Sequence, residues 1–130
     1  MPAGEAFSPR QQEDVVRAIR LAQQQSQLPV SVYVGTLDGD SRATALQLHA
    51  ALGAAAAESV LVAVDPGARR VEVVTGPDVR RRVDDRAAAL ASMTMTSAFQ
   101  AGDLAGGIAN GVLALAEHAH VPPSLHTGSP

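Results

Sequence analysis

Three sets of side chains in this sequence could do chemistry. The first is a set of carboxylates. Asp38 and Asp40 follow one alternating apolar run, Asp65 follows a second, and Asp103 opens the last helical stretch. If the two runs are parallel strands, their ends share one edge of a sheet, where ligands bind in open α/β folds. Asp103 returns to that edge if the helices on either side of it run antiparallel. Oxygen ligands of this kind suit calcium or magnesium. Asp38, Asp65 and Asp103 are therefore the candidate metal ligands, with neither ion required. A plainer explanation carries more weight. Asp40 and Asp103 stand where helix N-caps belong, and Asp38-Gly39 and Asp65-Pro66-Gly67 are turn sequences.

Arginines form the second set. Arg69, Arg70, Arg80, Arg81, Arg82 and Arg86 lie close together in the chain and could fork onto an anion. Glu72, Asp78, Asp84 and Asp85 are interleaved with them, so an internally paired, solvated surface is expected. Histidines are the third set. His118 and His120 are two apart and point to different sides of a helix, His126 is in the tail, and none has a carboxylate at ligand spacing. His49 stands alone on the second helix and reads as a surface residue. No catalytic constellation assembles and no cofactor is implied. The chain has no Cys and no Lys, which removes thiolate, Schiff-base and P-loop-lysine chemistry.

These groups must be positioned by the elements around them. Ser8-Pro9-Arg10-Gln11 is a helix start with cap, Pro and capping-box Gln, and Val15, Ile19 and Ala22 follow at helical spacing. Pro29 ends that helix near Gln27. Val30 to Val34 alternates as a strand. Asp40 or Ser41 caps a second helix with Ala45, Leu48 and Leu52 inward. Val60 to Val64 is apolar throughout, which fits a strand covered on both faces and therefore central. Asp65-Pro66-Gly67 turns the chain into Val71 to Thr75, an edge strand with Glu72 exposed. A helix follows from Val83 to about Phe99 after a short turn at Asp78 to Arg82, with Met93, Met95 and Phe99 filling core gaps. Asp103 caps a last helix to about His118, and its Gly107 and Gly111 suit close approach to the sheet.

The expected fold is α/β: a three-layer α/β/α sandwich whose small mixed sheet has two parallel strands plus an antiparallel hairpin partner, ordered first, second, third, with helices on both faces. Residues 1–7 read as a flexible leader, 8–119 as the domain and 120–130 as a disordered tail. With 130 residues, one core suffices. Only 2% of residues are aromatic and the net charge is −3, so no nucleic-acid partner is expected. No stretch reads as a membrane span or secretion signal, and a cytoplasmic location is expected.

The order of these motifs resembles the TPM domain superfamily. The residues that carry the resemblance are the strand, Leu37-Asp38-Gly39 and helix of 32–57, LVAVDPGARRVEVVTG from Leu61 to Gly76, Asp84-Asp85, and Phe99 to Asp103 before a Gly-containing helix. The resemblance covers residues 8–119 and points to a soluble, uncharacterised actinobacterial branch. It implies an α/β/α sandwich. It also implies a choice of roles, because some relatives are phosphatase-like or bind calcium and others show no evident chemistry. Typical members carry Gly-x-Gly-Leu-Glu after the third strand; here Gly76-Pro77-Asp78-Val79-Arg80 keeps the first Gly and lacks the Glu. The expected function is a non-catalytic module acting through contacts with a protein partner. The alternatives are a metal-assisted phosphomonoesterase of the acid-phosphatase kind and a divalent-cation or small-ligand binding domain without turnover.

Overall fold

The structure, a computed structural model, describes residues 7–119. Helix α1 (Pro9–Ser26) begins at a capping box. Ser8 Oγ accepts from the Gln11 amide at 3.1 Å, and the Gln11 side chain accepts from the Ser8 amide at 2.8 Å. It ends at Gln27, which is left-handed at φ 53°, two residues before Pro29. Strand β1 (Val30–Val34) follows. Helix α2 (Ser41–Ala50) is capped by the Asp40 side chain and runs on into a 3-10 segment over Gly53–Glu58. Strands β2 (Val60–Asp65) and β3 (Arg70–Thr75) form the hairpin around Asp65-Pro66-Gly67. Helices α3 (Asp85–Gln100), capped by Asp84, and α4 (Leu104–Ala119) are the last elements among the described residues.

The sheet order is β1-β2-β3, with β1 and β2 parallel and β2 and β3 antiparallel. All six residues of β2 are buried, as a central strand without a polar face requires. Alternation divides its side chains between two cores. Val60, Val62 and Val64 join the larger one, with Val15 and Ala22 of α1, Ala91 and Met95 of α3, and Ile108, Val112 and Leu115 of α4. Leu61 and Ala63 join Leu37, Ala45 and Val74 in the smaller one beneath α2. The three layers are present, and among the described residues α1, α3 and α4 cover one face and α2 the other.

Several expectations need correcting. Phe7, assigned to the leader, is in the larger core at 4% exposure. Glu72 is not a free edge residue: α2 leans over it, Ser41 Oγ donates to Glu72 Oε2 at 2.7 Å, and Arg42 lies 3.7 Å from Oε1. Met95 is fully buried, but Met93 is on the outside of α3. The glycines of α4 press on α3 and not on the sheet, because α4 packs chiefly between α1 and α3. A Cβ at Gly107 would lie 2.3 Å from the Ala98 Cβ, and one at Gly111 would lie 2.8 Å from Met95 Cγ. Helical spacing marks a face that packs closely but does not say against what. Gly76 has a comparable role elsewhere. Its amide donates to Ser59 at 2.9 Å, and a Cβ there would lie 2.1 Å from the Ala56 carbonyl oxygen.

Candidate functional site

The parallel pair ends at Val34 and Asp65, so the loop after β1 and the turn after β2 meet at one sheet edge. Asp65 joins them. The residue is 7% exposed, and its carboxylate accepts through Oδ2 from the Leu37 amide at 3.0 Å and through Oδ1 from the Ala68 amide at 3.1 Å. The Leu37 amide holds the Asp65 carboxyl below the usual carboxylate value against the opposing pull of burial. The amides of Ala68 and Gly67 and the charge of Arg70 add to the lowering. Both oxygens are thus engaged in fixing backbone.

The other acidic candidates have structural positions too. Asp38 is exposed, and its carbonyl accepts from Thr44 Oγ1 at 2.7 Å. Asp40 Oδ1 accepts from the amides of Arg42 and Ala43 at the start of α2. Asp103 is exposed and caps α4, with Oδ1 accepting from the Gly106 amide at 3.1 Å. Ser26 Oγ donates to the Ala116 carbonyl at 2.6 Å, so α1 and α4 end together where β1 begins, and Asp103 lies toward the opposite end. Among the described residues, no three His, Cys, Asp or Glu side chains form a group that could hold a metal ion.

The arginines differ from the internally paired surface that the spacing suggests. No ion pair joins Arg80, Arg81 or Arg86 to Asp78, Asp84 or Asp85 among the described residues, where the ion pairs are Arg17–Asp14 and Arg42–Glu72, each at 3.7 Å. Arg82 has a distinct role. Its Nε donates to the Ala119 carbonyl at 3.1 Å and its Nη2 to the Ser26 carbonyl, so one guanidinium ties the C-terminal ends of α4 and α1. The Ser26 carbonyl lies in the last turn of α1, where carbonyls lack intrahelical donors, and a cation suits the negative end of a helix. His49 is also corrected: it is buried, and its Nε2 donates to the Ser59 carbonyl at 3.1 Å, linking α2 to the start of β2. His118 is exposed; His120 and His126 lie outside the described residues.

Two features were not singled out from the sequence as places for a partner. Leu90 and Met93, one turn apart on the outer face of α3, are 43% and 63% exposed, and no charged residue occurs from 87 to 102. The uncharged stretch is the signal for this face, whereas apolar character alone places Met93 with Met95 in the core. The second feature is a groove of about 600 Å³ between α1 and α4, lined by Leu21, Gln25, Ser26, Leu113 and Glu117.

Comparison with solved structures gives the same fold, and comparison of sequences gives a family. The profile of a family described as a domain of unknown function, DUF5130, matches residues 2–116. An uncharacterised protein of Mycobacterium tuberculosis is 32% identical over 100 residues, 75% of this chain, and the chain spans 58% of that relative's length. Among solved structures, the BA42 protein from the psychrophilic bacterium Bizionia argentinensis superimposes with a TM-score of 0.78 at 16% identity, covering 87% of this chain and 81% of its own. The N-terminal domain of a Corynebacterium glutamicum protein gives 0.71 at 18% identity, covering 87% and 74%. At these identities the two structures share the fold with this chain. No helix among the described residues is long and apolar enough to cross a membrane.

Proposed function

The chain belongs to the DUF5130 family, and from that premise we propose that it is a non-catalytic module of TPM type that acts through protein contacts. The observation that carries this reading is the outer face of α3. Large apolar side chains exposed one turn apart on an uncharged helix face are the composition of a contact surface, where charged residues are depleted and Met is enriched. The strand-end carboxylates support it from the other side. Asp65 spends both oxygens on backbone amides, which suits it to hold a loop and a turn together more than to face a substrate. The TPM assignment is supported by the order of motifs from 32 to 103 and by the three-layer fold.

The test is a photo-cross-linking side chain at position 93, compared with one at exposed position 17 on α1, in cells of the native organism. A discrete protein adduct at 93 and none at 17 is the expected result. The reading fails if 93 gives no adduct. It also fails if the purified protein hydrolyses a generic phosphate monoester with calcium or magnesium and Asp65→Asn abolishes the turnover.

A further inference from the structure

We propose that the open edge of β3 is a docking strand for an extended, basic segment of the partner protein. This rests on the protein-contact reading above and specifies how the partner is held. The backbone directions set the edge. The Val60 amide donates to Pro29 and the Val64 carbonyl accepts from Gly35, so Val60, Val62 and Val64 turn their backbone groups toward β1. Leu61, Ala63 and Asp65 therefore turn theirs toward β3, where they meet Val74, Glu72 and Arg70. What remains on the free side of β3 is the N–H and C=O of Val71, Val73 and Thr75, of which Val71 is half-buried and Val73 and Thr75 are buried.

Such a row is a template for another strand unless something guards it. One carbonyl is guarded: Arg42 Nη1 donates to the Val73 oxygen at 2.8 Å. The guard is a surface side chain, 51% exposed, and its ion pair with Glu72 spans 3.7 Å, a kind of contact that holds a side chain weakly. No described residue of the chain bonds the Val71 amide and carbonyl or the Val73 amide.

A groove of about 220 Å³ runs beside this edge. Arg42, Val71, Glu72 and Val73 form one wall, and Asp85, Ala88, Ala89 and Ser92 of α3 form the other. The α3 wall is built of small side chains, which leaves lateral room for a backbone at the ~4.8 Å spacing of a neighbouring strand. Charge sets the chemistry of the occupant. Arg42 and Glu72 offset one another, and Asp85 has no ion pair among the described residues, so the groove favours a basic side chain. The occupant is an extended segment with small or β-branched residues around a Lys or Arg. Main-chain bonds to Val71 and Val73 supply affinity, and Asp85 supplies selectivity, as in other strand-addition sites.

The experiment is an NMR titration of the full isotope-labelled chain with the synthetic peptide acetyl-Thr-Val-Lys-Val-Thr-amide. Amide shifts clustered over 71–75 and 85–92 are expected. Two N-methylated forms, one methylated at both valines and one at the lysine and both threonines, separate strand pairing from side-chain binding. One of them must lose at least tenfold in affinity. Replacing the lysine with glutamate must weaken binding, and Arg42→Ala, which uncovers the Val73 carbonyl, must tighten it. The proposal is overturned by equal binding of both methylated forms, by shifts confined to the α1–α4 groove, or by no binding at millimolar peptide. Concentration-dependent self-association with broadening at 71–75 overturns it too, since the occupant is then a second copy. An adduct at position 93 without peptide binding removes strand docking and leaves the protein-contact reading in place; absence of both removes both.

Discussion

Gly107→Ala tests the packing of α4 on α3 most directly, because two effects of opposite sign compete. Ala is favoured over Gly in a helix interior by about 1 kcal/mol, so an exposed site would gain stability. The new Cβ would lie 2.3 Å from the Ala98 Cβ, whereas carbon atoms rest at ~3.5–4.0 Å. More than 1 Å of separation must be recovered, and two adjoining helices of a packed core supply it by shifting. Overpacking of this kind costs ~1–3 kcal/mol and occasionally more. Contact this short belongs at the upper end, so the variant is expected to lose roughly 1–2 kcal/mol net, a fall in Tm of roughly 3–10 °C for a domain of this size. Asn110→Ala, at an exposed position on the same helix, supplies the control and is expected to gain a few tenths of a kcal/mol. Combining Gly107→Ala with Ala98→Gly relieves the clash, so the double variant must be more stable than the sum of the single changes predicts. Urea and thermal unfolding followed by circular dichroism measure the parent, Gly107→Ala, Asn110→Ala, Ala98→Gly and the double variant. A Gly107→Ala protein as stable as its parent, or a cycle with no coupling to Ala98, refutes the reasoning.

Three further outcomes are expected. Because the folded-state pKa of Asp65 is lowered, its contribution to stability is present above the unfolded value of about 3.9 and is lost as pH falls through the lower folded value; Asp65→Asn should therefore be less stable at neutral pH and show a flatter profile in acid urea titrations. Arg82→Met should cost on the order of 2 kcal/mol by leaving the Ser26 and Ala119 carbonyls without their donor, with faster hydrogen exchange in the last turns of α1 and α4, and Arg82→Lys should restore little, because an ammonium lacks the planar fork. Millimolar calcium or magnesium should leave Tm unchanged; a rise that Asp65→Asn removes would instead assign a cation to that sheet edge by mass action.

Local chemistry was legible in the sequence where one short segment decides the outcome. Ser8, Pro9 and Gln11 specify a helix start, Pro29 a helix end, and Asp65-Pro66-Gly67 a turn, and each lies where its chemistry puts it. The unbroken apolar run from Val60 to Val64 implied two covered faces and so a central strand. The residues misjudged are those whose partners lie far along the chain. Arg82 meets carbonyls 56 and 37 positions away, and charges nearer in sequence offered a simpler pairing that the turn geometry does not make. His49 is enclosed because α2 leans toward the start of β2, an angle that no heptad of the sequence encodes. The candidate carboxylates were legible as caps and turns, and that is how Asp40, Asp65 and Asp103 are used.

Among the described residues the most extensive helix contact joins the first helix, α1, to the last, α4. During synthesis α1 leaves the ribosome with its apolar stripe of Val15, Ala18 and Ala22 uncovered, and roughly 80 residues must follow before α4 begins. At the usual pace of about 5–20 residues per second that is a wait of roughly 4–16 s. The hairpin of β2 and β3 has neighbours in sequence and can form in that interval, whereas the layer over it stays open until the final helix arrives. A nascent chain halted before Leu104 should therefore engage chaperones through α1, and release of α4 should mark the moment at which that engagement ends.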